Sequence, residues 1–153
     1  MSNLRELLNE IEKVEQRYGS SLRKPSSEGE IMKLCQTFKD KFDEVDLPKQ
    51  YIEFLRIVNG LDFNGLVIYG VDQDLLDGEA EEEIQGFIEL NDLWHENNWQ
   101  RKYLFFGDSD TAWYCFDSDE KIYYELDKPS GTIMDSFQDF NSMISNALET
   151  SLL

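Results

Sequence analysis

Three apolar and aromatic runs decide the fold: Tyr103-Leu104-Phe105-Phe106, Ala112-Trp113-Tyr114-Cys115-Phe116 and Ile122-Tyr123-Tyr124-Glu125-Leu126. Aromatic and β-branched residues in short runs between turn formers read as strands, because such side chains pack well on a pleated surface. The linkers, residues 107–111 and 117–121, are short enough only for antiparallel hairpins. Working outward, Leu66-Val67-Ile68-Tyr69 forms an earlier strand and residues 132–134 a brief later one. An acidic loop and a short helix over 87–96 separate the first strand from the central three.

Beyond the strands the period becomes helical. Leu4, Leu7, Leu8, Ile11, Val14 and Tyr18 recur at helix spacing, with Asn3 and Glu6 as a capping box and Gly19 as the stop. Residues 20–27 form a loop containing Pro25. Ser27 and Glu30 then cap a second helix whose inner stripe is Ile31, Leu34, Cys35, Phe38 and Phe42. Pro48 suits the first position of a third helix carrying Tyr51, Phe54, Leu55 and Val58. Asn59-Gly60 ends it. The last helix is expected to be capped by Ser136, with Phe137, Phe140, Ile144, Ala147 and Leu148 inward. Helices, then a meander, then a helix define one α+β domain over residues 1–153. Its mostly antiparallel sheet has four to six strands, flanked by N-terminal helices and a C-terminal helix.

The chain has 153 residues, 41% of them hydrophobic, so it can bury a core without disulfide or metal. Its formal charge of −18 is the outlier, against a magnitude of about 2–8 for small soluble domains. Such a field repels nucleic acid and anionic membranes. Residues 1–56 carry −1, residues 57–100 carry eleven acidic side chains and no Lys or Arg, and residues 101–153 carry −6. An acidic run is ordinarily a solvated loop. A 44-residue stretch without a cation also fits a surface that steers a basic partner.

Chemistry-bearing constellations are scarce. Asp72, Asp74 and Glu83 sit at EF-hand positions one, three and twelve, yet Leu76 and Asp77 occupy five and six, where a ligand and a glycine are needed. Cys35, His95 and Cys115 lack the paired spacing of a zinc site, and His95 is placed on the polar side of its helix. With one histidine and no Gly-rich phosphate loop, no enzyme, metal site or cofactor is expected. The cysteines read as reduced, buried thiols. The amino terminus has no signal-peptide core and no apolar run is long enough to span a membrane, so a cytoplasmic protein is expected.

In the run from Ala112 to Phe116, alternation puts Trp113 and Cys115 on one face, Tyr114 and Phe116 on the other. One face is expected to pack on helices and the other to be an open aromatic surface.

Leu47-Pro48, Tyr51, Phe54-Leu55, Asn59-Gly60, Gly65 and Ile68-Tyr69-Gly70, in this order, resemble the signature of the SUKH superfamily. Asn91, Phe105-Phe106-Gly107-Asp108, Trp113-Tyr114 and Ile122-Tyr123 agree with it. Leu126-Asp127-Lys128-Pro129-Ser130-Gly131 and the last helix are similar to its YrhA-like branch. This group includes bacterial immunity proteins and fungal cell-wall-assembly regulators. The resemblance covers roughly residues 25–150. It implies a helix-flanked central sheet without catalytic residues, and a role either in binding a cognate toxin domain or as a regulatory scaffold. The acidic stretch favours a basic nuclease toxin as the partner. The expected partner surface comprises Asp72, Asp74, Asp77, Glu79, Glu81, Glu82 and Glu83, joined by Asp108, Asp110, Asp117 and Asp119 on the hairpins. Trp94, Trp99 or Tyr114 is its expected buried anchor.

Overall fold

The computed structural model describes residues 3–42, 46–78 and 83–153. Its helices are α1 (Leu4–Arg17), α2 (Glu28–Lys41), α3 (Lys49–Ile57), α4 (Phe87–Trp94) and α5 (Phe140–Ser151). Its strands are β1 (Leu61–Phe63), β2 (Leu66–Ile68), β3 (Tyr103–Asp108), β4 (Ala112–Asp117), β5 (Ile122–Asp127) and β6 (Ile133–Phe137). They form one antiparallel sheet in chain order, β1-β2-β3-β4-β5-β6, and the fold is α+β.

Local chemistry explains most of the element ends. Asn3 Oδ1 accepts the Glu6 N–H, and Ser27 with Glu30 closes a reciprocal capping box on α2. Pro48 is the residue before α3, one position earlier than expected. The strand β1 lies outside the sequence reading. Its outward Asp62 breaks up a run of only three residues, but Asn64 and Gly65 both have positive φ, the conformation a two-residue hairpin turn requires. Tyr18 does not join the stripe of α1; the helix has ended and the ring is 84% exposed. Ser136 and Phe137 belong to β6. Asp139 caps α5 instead, accepting the Ser142 N–H at 2.8 Å.

Phe106 sits at the centre of one sheet face, ringed by Tyr51, Phe140 and Phe87 with centroids 5.0, 5.4 and 5.5 Å away. The side chains Phe54, Leu55, Ile144 and Leu148 from α3 and α5 are wholly buried in the same core. Burying a large apolar side chain contributes about 1.5–3 kcal/mol, so this layer dominates stability.

The opposite face is not open, contrary to expectation. Trp113 and Tyr103 on that face are each 5% exposed and Cys115 is wholly buried. Trp94 and Trp99 lie edge-on to Trp113, at 5.5 and 5.6 Å, and cover that face. The geometry follows from α4. β2 pairs with β3 only at Gly107 and Asp108. Beyond them the Asn91 amide replaces a strand, accepting the Phe105 N–H at 2.7 Å and donating to the Phe105 carbonyl at 2.9 Å. The helix therefore docks beside β3, with Phe87 reaching one face and Trp94 the other.

Candidate functional site

The register separates the expected partner surface into two ends. The β1–β2, β3–β4 and β5–β6 turns share one end of the antiparallel sheet, and the β4–β5 turn lies at the other. Asp108 and Asp110 are therefore at the opposite end from Asp117 and Asp119. The eleven described residues of the expected surface do not converge on one patch.

Asp72 is 5% exposed and caps α4 from sixteen residues back, accepting the N–H groups of Ile88 at 3.0 Å and Glu89 at 2.9 Å. Gly86 occupies the ordinary cap position, and a Cβ there would lie 2.1 Å from Asp72 Oδ1. Burial pushes the Asp72 carboxyl above the usual aspartate range, against the pull of these two N–H groups. Asp117 is 4% exposed and accepts the N–H groups of Asp119 and Glu120 within its own turn. Both carboxylates bind backbone rather than facing a partner.

The rest of the loop divides similarly. Asp77 bonds Ser27 Oγ at 2.7 Å and Lys33 Nζ at 3.1 Å, tying the loop to α2. These two partners hold its carboxyl below the usual range. Asp74 and Glu83 are exposed, and the Glu83 backbone carbonyl accepts from Arg23 at 3.2 Å. Glu79, Glu81 and Glu82 lie outside the described residues. On the hairpins, Asp110 and Asp119 are exposed.

Asp108 lies in a network that the sequence reading missed. Its Oδ1 is 3.2 Å from Lys128 Nζ, and its Oδ2 accepts the Tyr69 hydroxyl. That hydroxyl in turn accepts the Trp94 indole N–H at 2.9 Å. The same ammonium stands over the rings of Trp94 and Trp113, 5.2 and 5.6 Å from their centroids. Trp94 is half-buried and its N–H is occupied. Tyr114 is enclosed, and burial followed by the Glu125 charge pushes its hydroxyl up to about 12. Trp99, at 42% exposure, is the accessible one of the three expected anchors. The Lys128-Pro129-Ser130-Gly131 turn was legible as a motif; the pairing that brings Lys128 to Asp108 depends on register.

His95 also departs from expectation. It is half-buried at the end of α4, with Nε2 2.7 Å from the Tyr103 carbonyl and its ring packed edge-on to Phe42. Cys35 is half-buried and Cys115 fully buried; both are free thiols, with pKa values raised by burial. Among the described residues, no three His, Cys, Asp or Glu side chains are grouped so as to hold a metal ion, and no helix is long and apolar enough to cross a membrane.

The fold is a helix-flanked antiparallel meander in which Asp72, Asp117 and Asp139 cap helices and turns. The sequence profile of the SMI1 / KNR4 family (SUKH-1) matches residues 25–146, and the chain belongs to that family. No curated protein matches it.

Proposed function

We propose that the chain is a non-enzymatic immunity protein, which binds a basic toxin domain, a nuclease, through an acidic surface and neutralises it in the cytoplasm. The observation that carries this reading is the charge of residues 57–100, eleven acidic side chains without a Lys or Arg. Membership of the SUKH-1 family supports a protein-binding role. Asp74 and Glu83 are exposed at the two ends of the described loop, and carboxylates so placed act on encounter with a basic partner. Asp110 and Asp119 extend the same field at the two ends of the sheet. Asp72, Asp117 and Tyr114 drop out of the contact surface because they are buried.

The test is co-expression with a toxin domain encoded beside the gene. Growth is restored and an equimolar complex is recovered if the reading is right. Continued killing in the presence of soluble, folded protein rejects it.

A further inference from the structure

The last strand of the sheet is open on one side. Among the described residues β6 pairs with β5 alone; its five residues, Ile133-Met134-Asp135-Ser136-Phe137, include no Lys, Pro or Gly, and the ladder shifts register once, at Met134. Natural sheets usually protect an edge with such residues, with a bulge or an inward charge, or keep it very short, as β1 does here with three residues. On β6 the irregularity is confined to Met134, and Asp135, Ser136 and Phe137 keep regular pairing with β5. β6 instead exposes two large apolar side chains, Ile133 at 52% and Met134 at 59%.

The charge beside this edge is uncompensated. Glu125 and Asp135 are direct cross-strand partners, so their side chains share a face. Like charges in that relation repel. Burial and the Asp135 charge both raise the Glu125 pKa. Among the described residues neither carboxylate has a Lys or Arg ion pair; the contact of Glu125 is Asn146 Nδ2 at 3.5 Å. The row Tyr114–Glu125–Asp135 continues off the sheet at β6. The next position in that row belongs to whatever strand is added.

We infer that β6 is a strand-addition edge that takes an extended segment of a protein partner, with a lysine or arginine placed opposite Asp135. Backbone pairing supplies the affinity and the Asp135 position the selectivity. The inference rests on the basic partner proposed above and assigns that partner a docking edge. In the free chain, Asp135 Oδ1 accepts the Ser136 N–H at 2.8 Å. A cation alongside draws the carboxylate away and leaves that N–H to the incoming strand. A second copy of this chain is disfavoured as occupant, since it brings a charge of −18 and its own Asp135 to the same edge.

The test uses the full chain, labelled with nitrogen-15, and two blocked peptides of about ten residues, one alternating lysine with valine and the other glutamate with valine. The lysine peptide is expected to shift the amides of residues 133–137 and to bind about tenfold more tightly than the glutamate peptide. Asp135→Lys should reverse that preference while the thermal midpoint is retained. Met134→Pro, checked for folding by circular dichroism, should weaken both peptides. Shifts confined to the 72–83 loop, no binding at about 1 mM, the weak limit for specific recognition, or an unreversed preference in Asp135→Lys would overturn the proposal. Failure to rescue cells from the toxin, with peptide binding at β6 intact, rejects the toxin reading alone. Rescue that survives Asp135→Lys together with absent peptide binding rejects the edge alone.

Discussion

Asp72→Ala separates a structural carboxylate from a binding one. The substitution removes the acceptor of two N–H groups at the start of α4, those of Ile88 and Glu89. Loss of a helix cap costs about 0.5–2 kcal/mol, and a buried donor left unpaired costs about 1–3 kcal/mol. Ile88 is 6% exposed, so water cannot readily replace the lost acceptor there. Relief of the buried charge offsets part of the loss, which gives a net cost of about 1.5–3 kcal/mol. For a chain of this size that is a fall of roughly 3–12 °C in thermal midpoint. Urea denaturation measures it directly. Gly86→Ser should destabilise on its own, because its Cβ would lie 2.1 Å from Asp72 Oδ1 and 2.8 Å from Asp72 Cα; the second contact is with backbone, so the loss should persist in the Asp72→Ala background. A loss below about 0.5 kcal/mol, smaller than any cap deletion should give, would refute the capping role. So would weakened partner binding at unchanged stability.

Other outcomes follow from the same geometry. Leu55 is wholly buried, so Leu55→Ala should cost about 2–5 kcal/mol by chemical denaturation. Asp74→Asn, at an exposed carboxylate among like charges, should leave stability level or raise it in the same assay. Gly131 has φ +77° and a Cβ there would lie 2.7 Å from the Trp99 ring. Gly131→Ala should therefore cost about 1–2 kcal/mol in backbone terms alone, and shift the tryptophan emission as Trp99 is displaced. Asp139 has its pKa lowered by the Ser142 N–H and hydroxyl. Its contribution is present above the unfolded aspartate pKa and is lost as pH falls through the depressed folded value. Asp139→Ala should accordingly reduce the acid-side slope of stability against pH.

The fold was legible where one residue type carries one local consequence. Ser27 with Glu30 announces the start of α2, and the linkers between β3, β4 and β5 allow only hairpins. The missed strand β1 was marked by Asn64-Gly65 rather than by its three residues, too few to show an alternation. Ser136 was the expected cap of α5, and Asp139 is the residue that caps it. Pairing of Ser136 with Tyr124 in the sheet decided between them, and a tertiary contact of that kind has no local sequence signal.

The candidate site was less legible. Asp72 and Asp74 look alike as residues, yet one is buried beneath α4 and the other faces solvent. Their difference arises from the Gly70–Gly86 bridge, which brings distant segments side by side. Asn91 stood out only as part of a resemblance. Its amide is needed where β2 stops and β3 continues, and that mismatch in strand length exists only in three dimensions. Lys128 could not be assigned for the same reason: its aromatic and acidic neighbours come from α4, β3 and β4.

Binding to a candidate basic toxin domain, measured by stopped flow at low and high salt, tests the central claim most directly. The account predicts an equimolar complex that abolishes toxin activity, with an association rate that falls steeply as salt rises, because uncompensated carboxylates steer the encounter. Full toxin activity at saturating protein would contradict it, and an association rate indifferent to salt would remove the charge of residues 57–100 as its basis.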